Sequence, residues 1–274
     1  MDISSYLSNV RTKRPLVHSI TNYVSVGDCA DIIESSGGAP IMAQAIEEME
    51  ELVLKADALY INIGTLSSAV LPSMFSAVSL AAQNNISAVL DPVGAGATEY
   101  RTETALKLLA QGEFALVRGN ISEIRALFGF RGRTRGVSAS EEDLVQESDL
   151  DSLGTMARDF ARERNCIIGI SGSTDIIASS SRICFVRNGH SIMPRLTGTG
   201  CMLSALCAVF LAANPLDSFE AAAAAFCMMG LCGEIAAKEL KEGEGPASWR
   251  IRFLDAVARL TPEELEKGAR YEMR

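Results

Sequence analysis

Short apolar segments alternate along this chain with longer segments whose apolar residues recur at helical spacing, and this alternation constrains the fold more than any other feature. It predicts a mostly parallel β-sheet with helices on its faces. The chain has 274 residues, the length of one large α/β domain, and we expect residues 1–274 to form a single domain. The predicted strands are residues 58–63, 88–90, 114–117 and 166–170, and the predicted crossover helices are residues 69–84 and 102–111.

The pattern changes after Ser171, where strand-like segments follow one another closely. They lie at residues 175–178, 183–187 and 190–193. The Asn188-Gly189 pair between the last two is typical of a two-residue hairpin turn. These features predict an antiparallel edge on the parallel sheet.

Helical patterns dominate from Gly200 onward, and a charged segment interrupts the chain before them. The predicted helices are residues 200–213, 218–240 and 247–260 and a short piece after Pro262, with an Ala-rich stretch at 221–225 that we expect to be buried. The charged segment, residues 131–153, is rich in Gly and Ser and weakly periodic, and we interpret it as a mobile surface excursion.

Composition and charge exclude several classes of protein. Two histidines, His18 and His190, are too few for a His-rich metal centre and lie in no H-E-x-x-H spacing, which excludes a zinc hydrolase. The seven cysteines, mostly in apolar stretches and never spaced C-x-x-C, are typical of core thiols in a reducing compartment. The net charge of −9 disfavours nucleic acid and membrane surfaces as partners. With no signal-peptide pattern and no apolar run long enough for a bilayer, we expect a cytoplasmic protein.

Two Gly-rich loops are candidates for binding phosphate or metal. Leu196-Thr-Gly-Thr-Gly-Cys-Met202 opens an apolar helix, so its glycines and first amide groups could hold an anion; a tight turn explains the same pattern equally well. Asp91 ends an apolar strand and enters a second Gly-rich loop, where its carboxylate could hold Mg²⁺. By itself, Asp-Pro followed by Gly is more often plain turn chemistry.

Three further stretches bring polar groups to strand ends. Asn120 and Glu123 form the pattern of a capping box, which explains them structurally, whereas Arg118 just before a helix start is suited to a phosphate. Ser171 offers a hydroxyl at a strand end and is equally compatible with a hairpin connection. A stretch from His18 to Ala43 mixes polar groups with apolar ones, as a small-molecule pocket does.

Six motifs follow one another along the chain: His18-Ser-Ile-Thr-Asn-Tyr-Val24, Gly38-Ala-Pro-Ile-Met-Ala43, Ile61-Asn-Ile-Gly-Thr-Leu66, Asp91-Pro-Val-Gly-Ala-Gly-Ala-Thr98, Arg118-Gly-Asn-Ile-Ser-Glu-Ile124 and Thr197-Gly-Thr-Gly-Cys201. Together and in this order they resemble the motifs of the hydroxyethylthiazole kinases, which are ribokinase-like. The resemblance runs from about residue 15 to the helices after Cys201. It implies a ribokinase-like three-layer α/β/α fold with a mostly parallel central sheet, an antiparallel edge and a helical C-terminal part.

The resemblance also implies an activity. It is transfer of the γ-phosphoryl group of ATP, with Mg²⁺, to the primary alcohol of 4-methyl-5-(2-hydroxyethyl)thiazole, a salvage step toward thiamine phosphates. Members of the family are typically homotrimers with sites at the subunit interfaces, and we expect the same here. The residues implied by position are Met42, Asn22 and Gly198 for the thiazole, Arg118, Asn120, Ser171 and Thr197 for ATP, Asp91 and Glu123 for Mg²⁺, and Gly198, Thr199, Gly200 and Cys201 for catalysis.

Phosphoryl transfer needs in-line positioning and charge neutralisation more than covalent help. A thiol is mostly protonated at neutral pH, so we interpret Cys201 as a positioning group or weak base and not as a nucleophile.

Some residues depart from the family pattern and leave two alternatives open. Gly27 and Asp31 stand where the family usually has Asn, and Ser171-Gly172-Ser173 stands where Thr-Gly-Glu is common. One alternative is a related kinase of a pyrimidine or pyridoxine-like alcohol, against which Cys201 speaks, because many ribokinase-like enzymes have Asp there. The other is a catalytically weak ligand-binding protein of the same fold.

Overall fold

The structure, a computed structural model, describes residues 2–129 and 149–274. The charged segment predicted at residues 131–153 therefore lies outside the described residues up to position 148. The helices are α1 (Ile3–Lys13), α2 (Val26–Ser36), α3 (Met49–Val53), α4 (Leu71–Gln83), α5 (Glu99–Gln111), α6 (Ile121–Leu127), α7 (Leu150–Arg164), α8 (Thr199–Ala213), α9 (Ser218–Lys238), α10 (Pro246–Arg259) and α11 (Pro262–Gly268). The strands are β1 (Leu16–Ile20), β2 (Ala39–Ile41), β3 (Ala58–Asn62), β4 (Ser87–Asp91), β5 (Leu116–Asn120), β6 (Ile167–Ser171), β7 (Asp175–Ala178), β8 (Ile183–Val186) and β9 (Tyr271–Met273).

The nine strands of the described chain form one sheet in the order β2-β1-β3-β4-β5-β6-β7-β8-β9. The strands from β2 to β6 in this order are all parallel. The last three, β7, β8 and β9, add on in antiparallel fashion. The mostly parallel sheet with an antiparallel edge is therefore confirmed. Because parallel strands share one direction, the carboxyl ends of β1 to β6 lie at the same edge of the sheet.

Helices cover both faces of this sheet and give the three layers that were predicted. One apolar core lies between the sheet and α1, α2, α8, α9 and α10, and the second lies between the sheet and α3 to α7. Within the first, α8 and α9 are apolar around nearly their whole circumference, because other helices pack against them on the side away from the sheet.

Helix α9 is the one described helix that is long and apolar enough to cross a membrane by length and composition. In the fold, however, 78% of its most apolar window is buried, which is typical of a core helix. Its Ala-rich stretch at residues 221–225 is completely buried, as predicted.

Two predictions for the antiparallel edge are wrong. Residues 190–193 form no strand, and the chain there leads into a 3₁₀ turn at Met193–Arg195. Asn188 does not sit in a hairpin turn, because no strand of the described chain follows directly after β8. Its buried side-chain amide instead donates to Glu234 Oε1 (3.1 Å) and to the carbonyl of Gly268 (3.0 Å). These contacts link the end of β8 to α9 and α11. The strand that pairs with β8 on the side away from β7 is instead β9, from the far end of the chain.

Strands β1 and β2 were not predicted. In β1 the buried polar residues His18 and Ser19 interrupt the apolar pattern, and β2 is only three residues long. Strand β2 is the edge strand of the sheet and β1 is its neighbour. The chain leads from β1 directly into the candidate site.

Candidate active site

The carboxyl ends of the parallel strands carry a concentration of buried polar residues. Strands β3, β4, β5 and β6 each end on a polar side chain, and β1 is followed within two residues by another; these residues are Asn62, Asp91, Asn120, Ser171 and Asn22. Asn22, Asn62 and Asp91 are less than 5% exposed. Ligands of open α/β sheets bind at this edge, so these side chains define the candidate site.

Asp91 is the most deeply buried acid of the site, with no exposed surface. Its Oδ2 accepts hydrogen bonds from Ser204 Oγ (2.9 Å), Asn62 Nδ2 (3.0 Å) and Tyr60 Oη (3.3 Å). Its Oδ1 is buried and has no hydrogen-bond partner among the described residues. Burial raises the pKa of this carboxyl, although Arg118 Nη1 at 4.0 Å favours the charged form. Asp91 thus presents one unsatisfied oxygen to the site.

Arg118 brings a buried positive charge to the same point. Its guanidinium lies 4.0 Å from Asp91 and donates through Nη2 to Ser171 Oγ. Burial alone would lower the pKa of Arg118, but the carboxylates of Asp91 and Glu123 outweigh it and raise the pKa. A Cβ built on Gly200 would lie 2.7 Å from Arg118 Nη1, so the guanidinium rests directly against the first turn of α8.

The N-terminus of α8 is open. Its cap residue is Gly198, with φ +98°, and within the described residues no side chain caps the helix and no acidic residue lies in its first turn. The first backbone bond of this helix runs from the amide of Met202 to the carbonyl of Gly198, so the preceding amides are the groups that a helix leaves without internal partners. The Thr199 hydroxyl is used within the turn, where it donates to the carbonyls of Met193 and Leu196 (3.3 Å each).

Cys201 joins this turn to the ends of β1 and β3. Its sulfur accepts from the side-chain amides of Asn22 and Asn62, both at 3.3 Å. Asn22 Nδ2 also donates to Asn62 Oδ1 (2.9 Å), and its Oδ1 accepts from the backbone of Val24 and Ser25 at the start of α2. Burial first, and then the charge of Asp91, raise the pKa of Cys201, so the thiol is protonated at neutral pH.

The N-terminus of α6, in contrast, is closed by its own side chains. Asn120 Oδ1 accepts from the amide of Glu123, and Glu123 Oε2 accepts from the amide of Asn120, both at 2.8 Å, so the capping box is present. Glu123 Oε1 accepts from the amide of Gly94 (2.8 Å) in the loop after β4. Burial, followed by the nearby Asp91, raises the pKa of Glu123 to about 7.

Met42 lies at the same edge, just after β2, and is partly buried against the first core. The loop around it is fixed by His18 Nε2, which donates to the carbonyl of Ala43 (3.0 Å), and by Gln44 Nε2, which donates to the carbonyl of Thr21 (3.0 Å). Next to this loop a cleft of about 420 Å³ opens to solvent. Its lining includes Thr21, Tyr23, Gln44, Gly64, Thr65 and Arg101.

The structure thus brings most of the predicted site residues to one sheet edge. Asp91, Arg118, Ser171, Gly200, Cys201 and Asn22 are linked by the contacts above, Asn120 and Glu123 close the neighbouring helix, and Thr197 lies exposed on the loop before Gly198. Sequence reasoning did not single out Tyr60, Asn62 and Ser204. Asn62 lies within the third of the six motifs and ends β3, a signal that could have identified it; nothing in the local sequence distinguishes Ser204, one turn into α8.

The fold is ribokinase-like. A ribokinase-like superfamily protein from Enterococcus faecalis aligns over 95% of this chain and 94% of its own with a TM-score of 0.62, at 13% identity, which shows a common fold. At closer range, residues 7–263 match the model of the hydroxyethylthiazole kinase family.

Relatives and one solved structure agree with this match. The hydroxyethylthiazole kinase of Clostridium acetobutylicum is 44% identical over 266 residues, which is 97% of each chain. That of Methanocella arvoryzae is 43% identical over 96% of this chain and 95% of its own. The structure of the hydroxyethylthiazole kinase protein from Pyrococcus horikoshii aligns with a TM-score of 0.88 at 34% identity, covering 99% and 98% of the two chains. This chain belongs to the hydroxyethylthiazole kinase family.

Proposed function

We propose that this chain transfers the γ-phosphoryl group of ATP to the primary alcohol of hydroxyethylthiazole, as its family does. The observation that carries the proposal is the convergence of the open N-terminus of α8, the Arg118 guanidinium and the Asp91 carboxylate at one sheet edge. Phosphoryl transfer requires groups of this kind, because catalysis comes from positioning the reactants and neutralising charge on the transferred group.

The phosphates of ATP are assigned to the first turn of α8. Amides at a helix N-terminus bind anions, and the dipole of the helix adds positive potential there. Arg118 lies against Gly200 and is already oriented by Ser171, so its charge is in place before a nucleotide arrives. Thr197, on the loop before Gly198, and Ser171 complete this side. Asn120 is assigned to a structural role in the capping box, with ATP contacts left to its neighbours.

Mg²⁺ is assigned to Asp91, with Glu123 in support. Mg²⁺ usually binds one or two carboxylates together with substrate phosphates and water, and the unpartnered Oδ1 of Asp91 fits that requirement. Both oxygens of Glu123 accept backbone amides, so this residue fits less directly. When bound, the ion would supply positive charge that neutralises the transferring phosphates.

The thiazole alcohol is assigned to the opposite side of Cys201. Asn22, whose amide is held by Asn62, and Met42 lie on this side, and the cleft next to Tyr23 opens beside them. The raised pKa of Cys201 supports a positioning role, since a protonated thiol is a poor nucleophile.

We also infer a homotrimer with sites at the subunit interfaces. Tyr23 and Val24, next to Asn22, are 77% and 59% exposed, and large apolar side chains at the mouth of a site favour cover by another subunit. Light scattering coupled to size exclusion distinguishes a trimer from a monomer.

All seven cysteines are free thiols and five are buried, which supports a reducing, cytoplasmic compartment.

The decisive experiment is a kinase assay with hydroxyethylthiazole, ATP and Mg²⁺, followed by the mass of the product. The mass of the alcohol increases by that of one phosphoryl group if the proposal is right. Pyridoxine and a hydroxymethylpyrimidine serve as competing substrates in parallel. Turnover of either in preference to the thiazole contradicts the assigned substrate, and binding of the thiazole by calorimetry without any turnover contradicts the assigned reaction.

A further inference from the structure

An ion pair between two helices lies directly behind the open N-terminus of α8. Asp28, in the first turn of α2, pairs with Arg250 of α10. Asp28 is buried, with 8% of its surface exposed. A second carboxylate, that of Asp31 one turn further along α2, lies 3.7 Å from the same guanidinium but is half-exposed.

The carboxylate of Asp28 reaches the residue that caps α8. A Cβ built on Gly198 would lie 2.9 Å from Asp28 Oδ2. Gly198 also has a φ of +98°, so a side chain there is disfavoured both by the backbone and by the space that Asp28 occupies. A negative charge therefore stands beside the helix N-terminus to which we assign the phosphates of ATP.

Electrostatics explain why the charged form of Asp28 is stable when no phosphate is bound, and why this charge would oppose the binding of a phosphate. The N-terminal ends of α2 and α8 both favour a negative charge at this place. Burial raises the pKa of Asp28, and Arg250 acts against that effect by favouring the charged form. Like charges in a partly buried site repel strongly, so an unpaired Asp28 carboxylate would oppose the binding of a phosphate to the same turn.

We propose that Arg250 neutralises Asp28 and thereby keeps the N-terminus of α8 able to bind the phosphates of ATP. The inference rests on the proposed function. Arg250 is a positioning residue, since it acts through Asp28. Asp31, one of the departures from the family pattern, shares the same guanidinium but is further away and more exposed, so its charge is screened by solvent.

The test combines two substitutions with a matched control, and measures the KM for ATP and the KM for the thiazole alcohol separately. Arg250→Met keeps most of the apolar stem and removes the charge, so we expect the KM for ATP to rise about tenfold, with kcat and the KM for the thiazole within about threefold of wild type. In the double variant Arg250→Met with Asp28→Asn, the unpaired carboxylate is gone, and the KM for ATP returns to within about threefold. Asp31→Asn is the control, because it removes a carboxylate from the same arginine away from Gly198, and its KM for ATP stays within about twofold.

A purely structural role for the ion pair gives different results. If Arg250 only fastens α10 to α2, the double variant is impaired as much as Arg250→Met, and both KM values and the melting temperature change together. An impaired double variant overturns the inference, and so does a joint change of both KM values and the melting temperature. A wild-type protein without thiazole kinase activity contradicts the proposed function instead, whereas an active wild type with an unchanged Arg250→Met variant contradicts the inference alone.

Discussion

Two helices begin at the same edge of the sheet, and their N-termini are completed in different ways. The first turn of α6 is closed by its own residues, because Asn120 and Glu123 satisfy each other's amides and Glu123 reaches on to Gly94. The first turn of α8 has a glycine as its cap, no side-chain cap and no acidic residue within the described chain. The guanidinium of Arg118 lies against Gly200 in this turn, and the Asp28 carboxylate beside the cap residue is paired with Arg250.

This difference determines which of the two helix N-termini can bind an anion. A helix N-terminus attracts negative charge whether or not it is capped, but α6 has already received a carboxylate from Glu123. The same device closes α11, where Thr261 and Glu264 form a capping box far from the site. A sequence in which a strand leads through a polar turn into a helix therefore predicts an anion site only when the first turn lacks its own acid.

Gly200→Ala should disturb the first turn of α8 and have the largest effect on activity. The new methyl group would meet Arg118 Nη1 at 2.7 Å, and the guanidinium is too buried to move without losing its contact to Ser171. We expect kcat/KM for ATP to fall about 100-fold, or about 2.7 kcal/mol of transition-state stabilisation, in a steady-state assay. The free energy of unfolding should change by less than about 1 kcal/mol, because alanine is a better helix former than glycine.

Gly27→Ala is the matched control for this variant. Gly27 occupies the same second position of α2, and a Cβ there meets nothing within 4 Å. Its activity should stay within about twofold of wild type. Equal losses of activity in the two alanine variants would show that the loss in Gly200→Ala does not arise from the contact with Arg118.

Cys201→Ala probes the open turn without displacing Arg118. The sulfur accepts from two amides, and its loss leaves the Nδ2 groups of Asn22 and Asn62 without that acceptor. We expect kcat to fall about three- to tenfold, that is about 0.7 to 1.4 kcal/mol, since positioning is weakened but no covalent step is removed. Cys207→Ala, the same change at a buried position of the same helix, should leave kcat unchanged. Complete loss of activity in Cys201→Ala would contradict the positioning role.

Asn120→Ala tests the closed terminus. It removes the oxygen that accepts the amide of Glu123, so we expect the free energy of unfolding in urea to fall by about 1 kcal/mol. The KM for ATP should change less than threefold. Asn120→Ser, which can still cap the helix, should recover most of the stability. A rise of more than tenfold in the KM for ATP with unchanged stability would instead make Asn120 a nucleotide ligand, as the family resemblance implied.

How much of this could be predicted depends on whether the signal was local. The capping box at Asn120, the strand that ends on Asp91 and the glycine turn before α8 are each contained in a few consecutive residues. The resemblance then supplied their common purpose. The partners of Asp91 could not be predicted in the same way, since Ser204 lies 113 residues away and the choice depends on how α8 packs against β4.

The wrong predictions have the same cause. Asn188-Gly189 has the local pattern of a turn, but the Asn188 side-chain amide donates to Glu234 and Gly268, which come from distant parts of the chain. Strand β9 is three residues long and pairs with β8 across more than eighty residues, so no local pattern announces it. Both the position of Asn188 and the pairing of β8 with β9 depend on contacts between residues far apart in the chain, which local sequence patterns do not show.

A substitution at Asp175 should have the smallest effect of these variants. Asp175 belongs to the comparison because Arg118, which lies beside the open N-terminus of α8, favours the charged form of its carboxyl. Burial raises the pKa of Asp175 to about 7, even though the amide of Gly172 donates to its Oδ1 at 2.9 Å. The folded protein then binds a proton between about pH 4 and 7 that the unfolded chain releases, so stability falls as the pH rises through this window. Asp175→Asn keeps an acceptor for Gly172 and cannot ionise. We expect its free energy of unfolding, measured in urea at pH 5 and pH 8, to decline less than that of wild type, by up to about 1 kcal/mol after allowance for partial exposure. If the free energy of unfolding changes between pH 5 and pH 8 by the same amount in the variant and the wild type, Asp175 titrates near its ordinary pKa and its charge is tolerated in the fold.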